Sequence, residues 1–154
     1  MLKMKSLRES LLDGDLVDKM DKSIKDEIKS FLKENYKGSI KISKEPNKDG
    51  KYEVSSTSDI VVINRNITSL TNGMFIWTLI NGSFYCSGCK SLKSLEGAPK
   101  EVGDDFNCNN CDSLKSLDGA PKKVGGNFFC RACKIQFTGD DVKKVSNVRG
   151  EINC

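Results

Sequence analysis

The second half of the chain repeats a pattern with a 22-residue period, and this repeat constrains the fold more than any other feature. Residues 84–99 read Phe-x-Cys-x-x-Cys-x-Ser-Leu-x-Ser-Leu-x-Gly-Ala-Pro, and residues 106–121 repeat every defined position. A third copy begins at Phe128 and diverges after Cys133, and residues 150–154 form a partial fourth copy after a two-residue insertion. A fixed period of this kind predicts stacked structural units, because one unit cannot bury its apolar face alone.

Each copy fits one coil of a solenoid. Phe84 and Cys86 are two residues apart, so they point to the same side of a β-strand. Cys89 follows where the strand turns, and Gly-Ala-Pro then interrupts regular hydrogen bonding because proline has no N–H. Stacking the coils places Phe84, Phe106 and Phe128 in one buried column with steps of about 4.8 Å.

The residues Phe84, Cys86, Cys89 and Leu92 resemble the strand and turn of the leucine-rich repeat family in its cysteine-containing subtype. The chain is also similar to short repeat proteins of bacteria and their phages. The resemblance covers residues 60–154 and departs from the family in the strand Phe and Cys and in the Gly-Ala-Pro return. It implies a parallel sheet on one side of the solenoid, with alternate strand residues available to a partner, and a capped end.

The first 37 residues predict helix. The apolar residues of the longer segment recur on one helical face: Leu16, Met20, Ile24, Ile28, Phe31 and Leu32. A shorter helix is expected over residues 3–12, with a break at 13–15 where Asp15 can cap the longer helix. Gly38 is a natural stop.

A change of periodicity follows the helix. Residues 39–43 and 51–55 alternate around a Pro-Asn-Lys-Asp-Gly turn, which predicts a β-hairpin. Beyond the apolar run 60–63, residues 63–70 are interpreted as a divergent earlier coil. The predicted fold class is therefore α+β: an N-terminal helical segment and hairpin, residues 1–58, cap a short leucine-rich-repeat-like β-solenoid with a parallel sheet, residues 59–154.

Seven cysteines and no histidine limit the chemistry of the chain. No apolar run is long enough for a membrane span, and charges interrupt the N-terminus where a signal peptide needs an apolar core. We therefore expect a cytoplasmic protein whose cysteines are thiols or metal ligands and not disulfides.

Two interpretations of the cysteine pairs stay open. Cys86, Cys89, Cys108 and Cys111 have the spacing of a four-cysteine zinc site, which would suit a zinc-binding protein that contacts nucleic acid. The repeat period alone produces this spacing, however, and buried cysteine commonly serves as a small core residue. We favour core cysteines and no cofactor. The net charge of +4 is evenly spread and gives no nucleic-acid footprint.

The absence of histidine also argues against an enzyme, since no partner base is present to activate a nucleophile. We expect a protein-binding module that uses the outward strand residues: Tyr85, Ser87, Asn107, Asn109, Phe129 and Arg131. For Phe129 the alternative is packing beneath the C-terminal coil or the N-terminal helices, and Trp77 is assigned to the core. A phage-borne inhibitor or adaptor that docks on a bacterial effector, such as a defence nuclease, is one concrete form of this hypothesis.

Overall fold

The computed structural model describes residues 14–154, which form an α-helix followed by a β-solenoid of about four turns. The predicted helix over residues 3–12 lies outside the described residues. No helix within residues 14–154 is long and apolar enough to cross a membrane.

The described chain contains two helices and twelve short strands. The helices are α1 (Gly14–Asn35) and α2 (Gly139–Val145). The strands, in chain order, are β1 (Tyr36–Lys37), β2 (Ile40–Ile42), β3 (Tyr52–Ser56), β4 (Ile60–Val62), β5 (Phe75–Ile80), β6 (Phe84–Tyr85), β7 (Glu101–Val102), β8 (Phe106–Asn107), β9 (Lys123–Val124), β10 (Phe128–Phe129), β11 (Asn147–Val148) and β12 (Ile152–Asn153).

From β3 onward, successive strands alternate between two sheets. Sheet A has the order β1-β4-β6-β8-β10-β12, and sheet B has the order β11-β9-β7-β5-β3-β2. Neighbouring strands are parallel except at one end of each sheet, where β1 pairs antiparallel with β4 and β2 pairs antiparallel with β3. The resemblance implied one parallel sheet, but the return of each coil supplies a second one. This sheet forms because Val102 and Val124, which follow the prolines, turn inward and are buried.

The phenylalanine column lies in register inside sheet A. Phe84 pairs with Phe106, and Phe106 pairs with Phe128. The ring centroids are 6.0 Å apart in the first pair, whose planes are nearly parallel, and 5.0 Å apart in the second. All three side chains are fully buried, so the predicted column is confirmed.

The predicted earlier coil is visible in its turn hydrogen bonds. The amide of Ile67 donates to the carbonyl of Asn64 at 3.2 Å, as the amide of Leu92 donates to that of Cys89 at the same distance. Asn64 therefore occupies the place of the second cysteine. Ile67 and Leu70 are buried where later coils contain their leucines.

Helix α1 covers the first coil with its second half. Ile28 and Leu32 are buried, whereas Leu16 is 47% exposed. The helix already includes Gly14 and Asp15, so the break predicted there is wrong at these two residues, and it ends at Asn35, before the expected stop. Tyr36 leaves the helix because its ring packs into the core and its hydroxyl donates to the carbonyl of Leu70 at 2.6 Å.

The predicted hairpin is confirmed, with Ile42 opposite Val54. Its second strand, β3, also pairs in parallel with β5, so the hairpin shares sheet B with the repeats. Trp77 in β5 is 1% exposed and touches Tyr36 and Phe84, which confirms its assignment to the core.

The third coil contains a helix that the repeat pattern did not predict. Thr138 and Asp141 form a capping box that starts α2, in which each side chain accepts a hydrogen bond from the backbone N–H of the other residue. The insertion that lengthens this coil by two residues is therefore folded as a helical turn.

The cysteine expectation needs one correction. Cys130 and Cys154 form a disulfide, although seven thiols or ligands were expected. The cause is the strand register: Phe128 pairs with Ile152, and two residues further on the Cα atoms of the two cysteines are 4.5 Å apart.

Candidate binding face of sheet A

The six residues predicted to bind a partner lie together on the outer side of sheet A. Tyr85, Asn107 and Phe129 are register partners in three adjacent strands. Ser87, Asn109 and Arg131 each follow two residues later and form a second row. We call this surface, with its continuation at Val61, Ile63 and Asn153, the outer face of sheet A.

Strand β4 extends this surface in a way that sequence reasoning missed. Val61 pairs with Tyr85, and Ile63, two residues further, is 48% exposed. The offset between Ile60 and Phe84 is 24 residues and not 22, so projecting the period backwards did not place these side chains. The continuous apolar run 60–63 was the available signal, because side chains alternate along a strand and Val61 and Ile63 therefore point away from the buried Ile60 and Val62.

Two aromatic side chains dominate the outer face of sheet A. Tyr85 and Phe129 are both half-buried, two coils apart, with Asn107 between them in the register. Phe129 lies between β8 and β12, whose register partners are Asn107 and Asn153. Neighbouring strands therefore cover part of the ring, and part of it stays accessible.

Along one edge of this face, polar side chains connect successive coils. In each case a side-chain oxygen accepts a hydrogen bond from a backbone N–H of the next coil. The pairs are Asp59 with Ser83 at 2.8 Å, Ser83 with Asp105 at 3.1 Å, Asp105 with Asn127 at 2.7 Å, and Asn127 with Glu151 at 2.8 Å. We call this chain of bonds the polar ladder. The polar ladder explains why these positions are polar, because each side-chain oxygen accepts a hydrogen bond that joins two successive coils.

The two predicted asparagines are also engaged by the fold. Asn107 Oδ1 accepts from the amide of Asn109 at 3.0 Å. Asn109 Oδ1 accepts from the amide of Arg131, in the next coil, at 2.6 Å. The asparagine oxygens thus stabilise the turns, and the side-chain amide groups are what these residues can offer to a partner.

Opposite charges flank the outer face of sheet A. At the carboxyl ends of the strands, the guanidinium of Arg65 donates to the carbonyl of Ser87, and Arg131 Nη2 donates to Asn153 Oδ1 at 3.1 Å. At the other end lie Asp59 and Glu151 of the polar ladder, both exposed. A partner would therefore meet an aromatic and aliphatic centre between a basic rim and an acidic rim.

The four cysteines considered for zinc are fully buried in two separate columns. Cys86 and Cys108 directly follow strands β6 and β8, and Cys89 and Cys111 lie at the turns that come next. Cys111 Sγ donates to the carbonyl of Cys86 at 3.2 Å. Within residues 14–154, no three Cys, Asp or Glu side chains are arranged to hold a metal ion.

Burial also makes most of these thiols hard to ionise. It raises the pKa of Cys108 and raises the pKa of Cys89 to about 11. The hydrogen bond with Cys111, together with burial, raises the pKa of Cys86, while the same hydrogen bond lowers the pKa of Cys111. Reactive cysteines are partly exposed, and these four are fully buried.

No protein family, no curated protein and no solved structure matches this chain.

Proposed function

We propose that this chain is a non-enzymatic protein-binding module and that the outer face of sheet A is its docking surface. The observation that carries the proposal is the pair Tyr85 and Phe129, two aromatic side chains on the outside of a β-sheet whose core is already filled. Such side chains supply large contact area at low entropic cost and are frequent anchors of protein interfaces.

A rigid backbone supports this role. The polar ladder and the parallel strand pairing hold each coil against the next, so that Tyr85, Asn107 and Phe129 are presented in a fixed arrangement. A partner that binds a preorganised surface loses less conformational entropy on binding than one that must order its target.

The chemistry of the side chains supports a role without catalysis. The chain contains no histidine, and Cys86, Cys89, Cys108 and Cys111 have no exposed surface. A covalent mechanism would need an accessible nucleophile next to a base.

The proposal includes the finer features that the sequence suggested. The stacked Leu and Cys columns support the likeness to cysteine-containing leucine-rich repeats, and we place the protein in the cytoplasm, where Cys130 and Cys154 would be reduced. A small adaptor or inhibitor, of bacterial or phage origin, that docks on a larger effector such as a defence nuclease fits these features.

The test begins with affinity purification from the native host and identification of the captured protein, which is then produced separately and titrated calorimetrically. Replacing both aromatic residues with asparagine, the residue that Asn107 already supplies in the intervening coil, should weaken binding by at least about 30-fold, the effect of removing one hot-spot side chain.

Leu79→Ala is the matched control, since Leu79 is 43% exposed in sheet B. It should leave the affinity unchanged. Normal affinity in the protein carrying Tyr85→Asn and Phe129→Asn, with wild-type thermal stability, would reject the outer face of sheet A as the docking surface.

A further inference from the structure

The repeat loses its register in the third coil at one identifiable place. In the first two copies, the residue after the outward serine is a buried leucine, Leu92 or Leu114. In the third copy the serine position is Ile135, and the leucine position is Gln136, which is exposed. Phe137, one residue later, turns inward and is 9% exposed. The inward position has thus moved by one residue.

This shift leaves Ile135 on the surface. Its side chain is 43% exposed, although the equivalent Ser91 and Ser113 show that a small polar residue fits here. Ile135 borders three neighbouring surface depressions at once. An exposed β-branched residue at the junction of three depressions contributes nothing evident to folding.

The largest of the three depressions is basic. Its volume is about 630 Å³. We call it the basic groove, and the residues that define it are Lys93, Lys115, Lys134, Asp112, Leu114 and Ile135. Within residues 14–154, none of the three lysine ammonium groups forms an ion pair, so three cations face a single carboxylate.

The two acidic residues of the adjoining depression, Asp118 and Asp141, offset this charge only in part. Asp118 accepts a hydrogen bond from Ser116 Oγ at 2.9 Å. Asp141 caps α2 and accepts from Lys144 at 3.2 Å. A hydroxyl donor leaves the negative charge of Asp118 in place, whereas Lys144 balances that of Asp141. The three lysines of the basic groove therefore outnumber the two unbalanced carboxylates, Asp112 and Asp118.

We propose that the basic groove binds an acidic peptide segment that carries an apolar side chain, with the apolar side chain on Ile135 and the carboxylates on the three lysines. This site lies apart from the outer face of sheet A and does not depend on the function proposed for that face. The charge favours an anionic ligand, and the exposed Ile135 favours a peptide over a nucleic acid, whose phosphates gain nothing from an aliphatic contact.

The test is fluorescence anisotropy with the full chain and a labelled peptide of sequence Glu-Asp-Glu-Leu-Asp-Glu-Asp. Comparison probes are the same peptide with Ser in place of Leu, its amide analogue Gln-Asn-Gln-Leu-Asn-Gln-Asn, and an oligothymidylate of equal charge. We expect saturable binding of the first peptide and much weaker binding of the other three.

Three variants locate the site. Lys115→Glu should weaken binding of the acidic peptide by about tenfold. Ile135→Ser restores the serine of the earlier copies. It should weaken binding of the acidic peptide by about fivefold, because the leucine of the peptide then buries less apolar surface. Lys48→Glu makes the same charge change in the hairpin turn and should have no effect.

The protein carrying Tyr85→Asn and Phe129→Asn should bind the acidic peptide normally, so failure of one proposal does not imply failure of the other. Any one of four results would overturn the proposal that the basic groove binds an acidic peptide. These are no saturable binding of the peptide, equal affinity for oligothymidylate, equal affinity for the Ser peptide, or full affinity in folded Ile135→Ser protein.

Discussion

Three glycines with the same backbone conformation can show how tightly the coils stack. Gly73, Gly97 and Gly119 have φ values of 83°, 86° and 84°, in the left-handed region. At Gly73 an added Cβ would meet nothing within 4 Å, and at Gly97 it would meet the side chain of Thr71 at 3.0 Å. At Gly119 it would meet the backbone of Glu96, whose Cα is 2.5 Å away. Alanine therefore introduces the same backbone strain at all three positions, but the steric conflict of its Cβ differs from one position to the next.

The expected costs follow from these two terms. The left-handed conformation costs alanine about 1–2 kcal/mol, and the lower entropy of its unfolded chain returns about 0.4–1 kcal/mol. Gly73→Ala should thus lower the free energy of unfolding by about 0.8 kcal/mol, within a range of about 0–1.6 kcal/mol. Gly119→Ala adds the cost of overpacking, about 1–3 kcal/mol, because the backbone of Glu96 cannot move aside as a side chain can. Gly97→Ala should lie between them.

Urea unfolding followed by Trp77 fluorescence measures all three variants, since Trp77 is the single tryptophan and is buried. The slopes of the transitions should be equal, so that shifts of the midpoint report stability. If Gly73→Ala and Gly119→Ala lower the free energy of unfolding by the same amount within about 0.5 kcal/mol, the coils do not approach each other as closely at Gly119 as described.

Two further changes test the third coil. Cys154→Ser removes a cross-link between residues 24 apart, and it should lower the free energy of unfolding by about 3 kcal/mol in non-reducing urea titrations but not in excess reductant; an equal cost in both buffers would contradict the disulfide. Ala132→Gly relieves a left-handed residue with φ 55° and should raise the urea midpoint, with a gain in stability of about 0.8 kcal/mol. Asn110→Gly, at the same repeat position with φ 57°, should gain less because asparagine tolerates this conformation, and equal gains would argue against strain at Ala132.

The solenoid core was predictable because the repeat places the same inward residues at intervals of one period. Phe84, Phe106 and Phe128 stand one period apart and lie in one column. The second sheet was harder to predict, since β7 and β9 are two residues long and a strand of two residues is too short to show a recognisable period. Strand pairing there depends on the neighbouring coil, which local sequence does not describe.

The ends of the elements depended on tertiary contacts. Tyr36 and Lys37 continue a good helical pattern, yet they pair with β4, because burial of the Tyr36 ring outweighs one more helical residue. Thr138 and Asp141 have the spacing of a helix start, but the third copy departs from the repeat after Cys133, so the period did not predict helix α2.

The candidate sites show what the repeat can and cannot predict. The inward residues are the same in successive copies because every coil must fill the same core. An inward residue shared between copies therefore indicates a role in folding. Outward positions that also hold the coils together, such as Asn109, are polar for a structural reason. What remains are outward positions where the copies disagree and a large side chain replaces a small or polar one, as Phe129 does relative to Asn107 and Ile135 relative to Ser113. The fold requires neither replacement, since the neighbouring coil folds without it, and binding is the reason we propose for both.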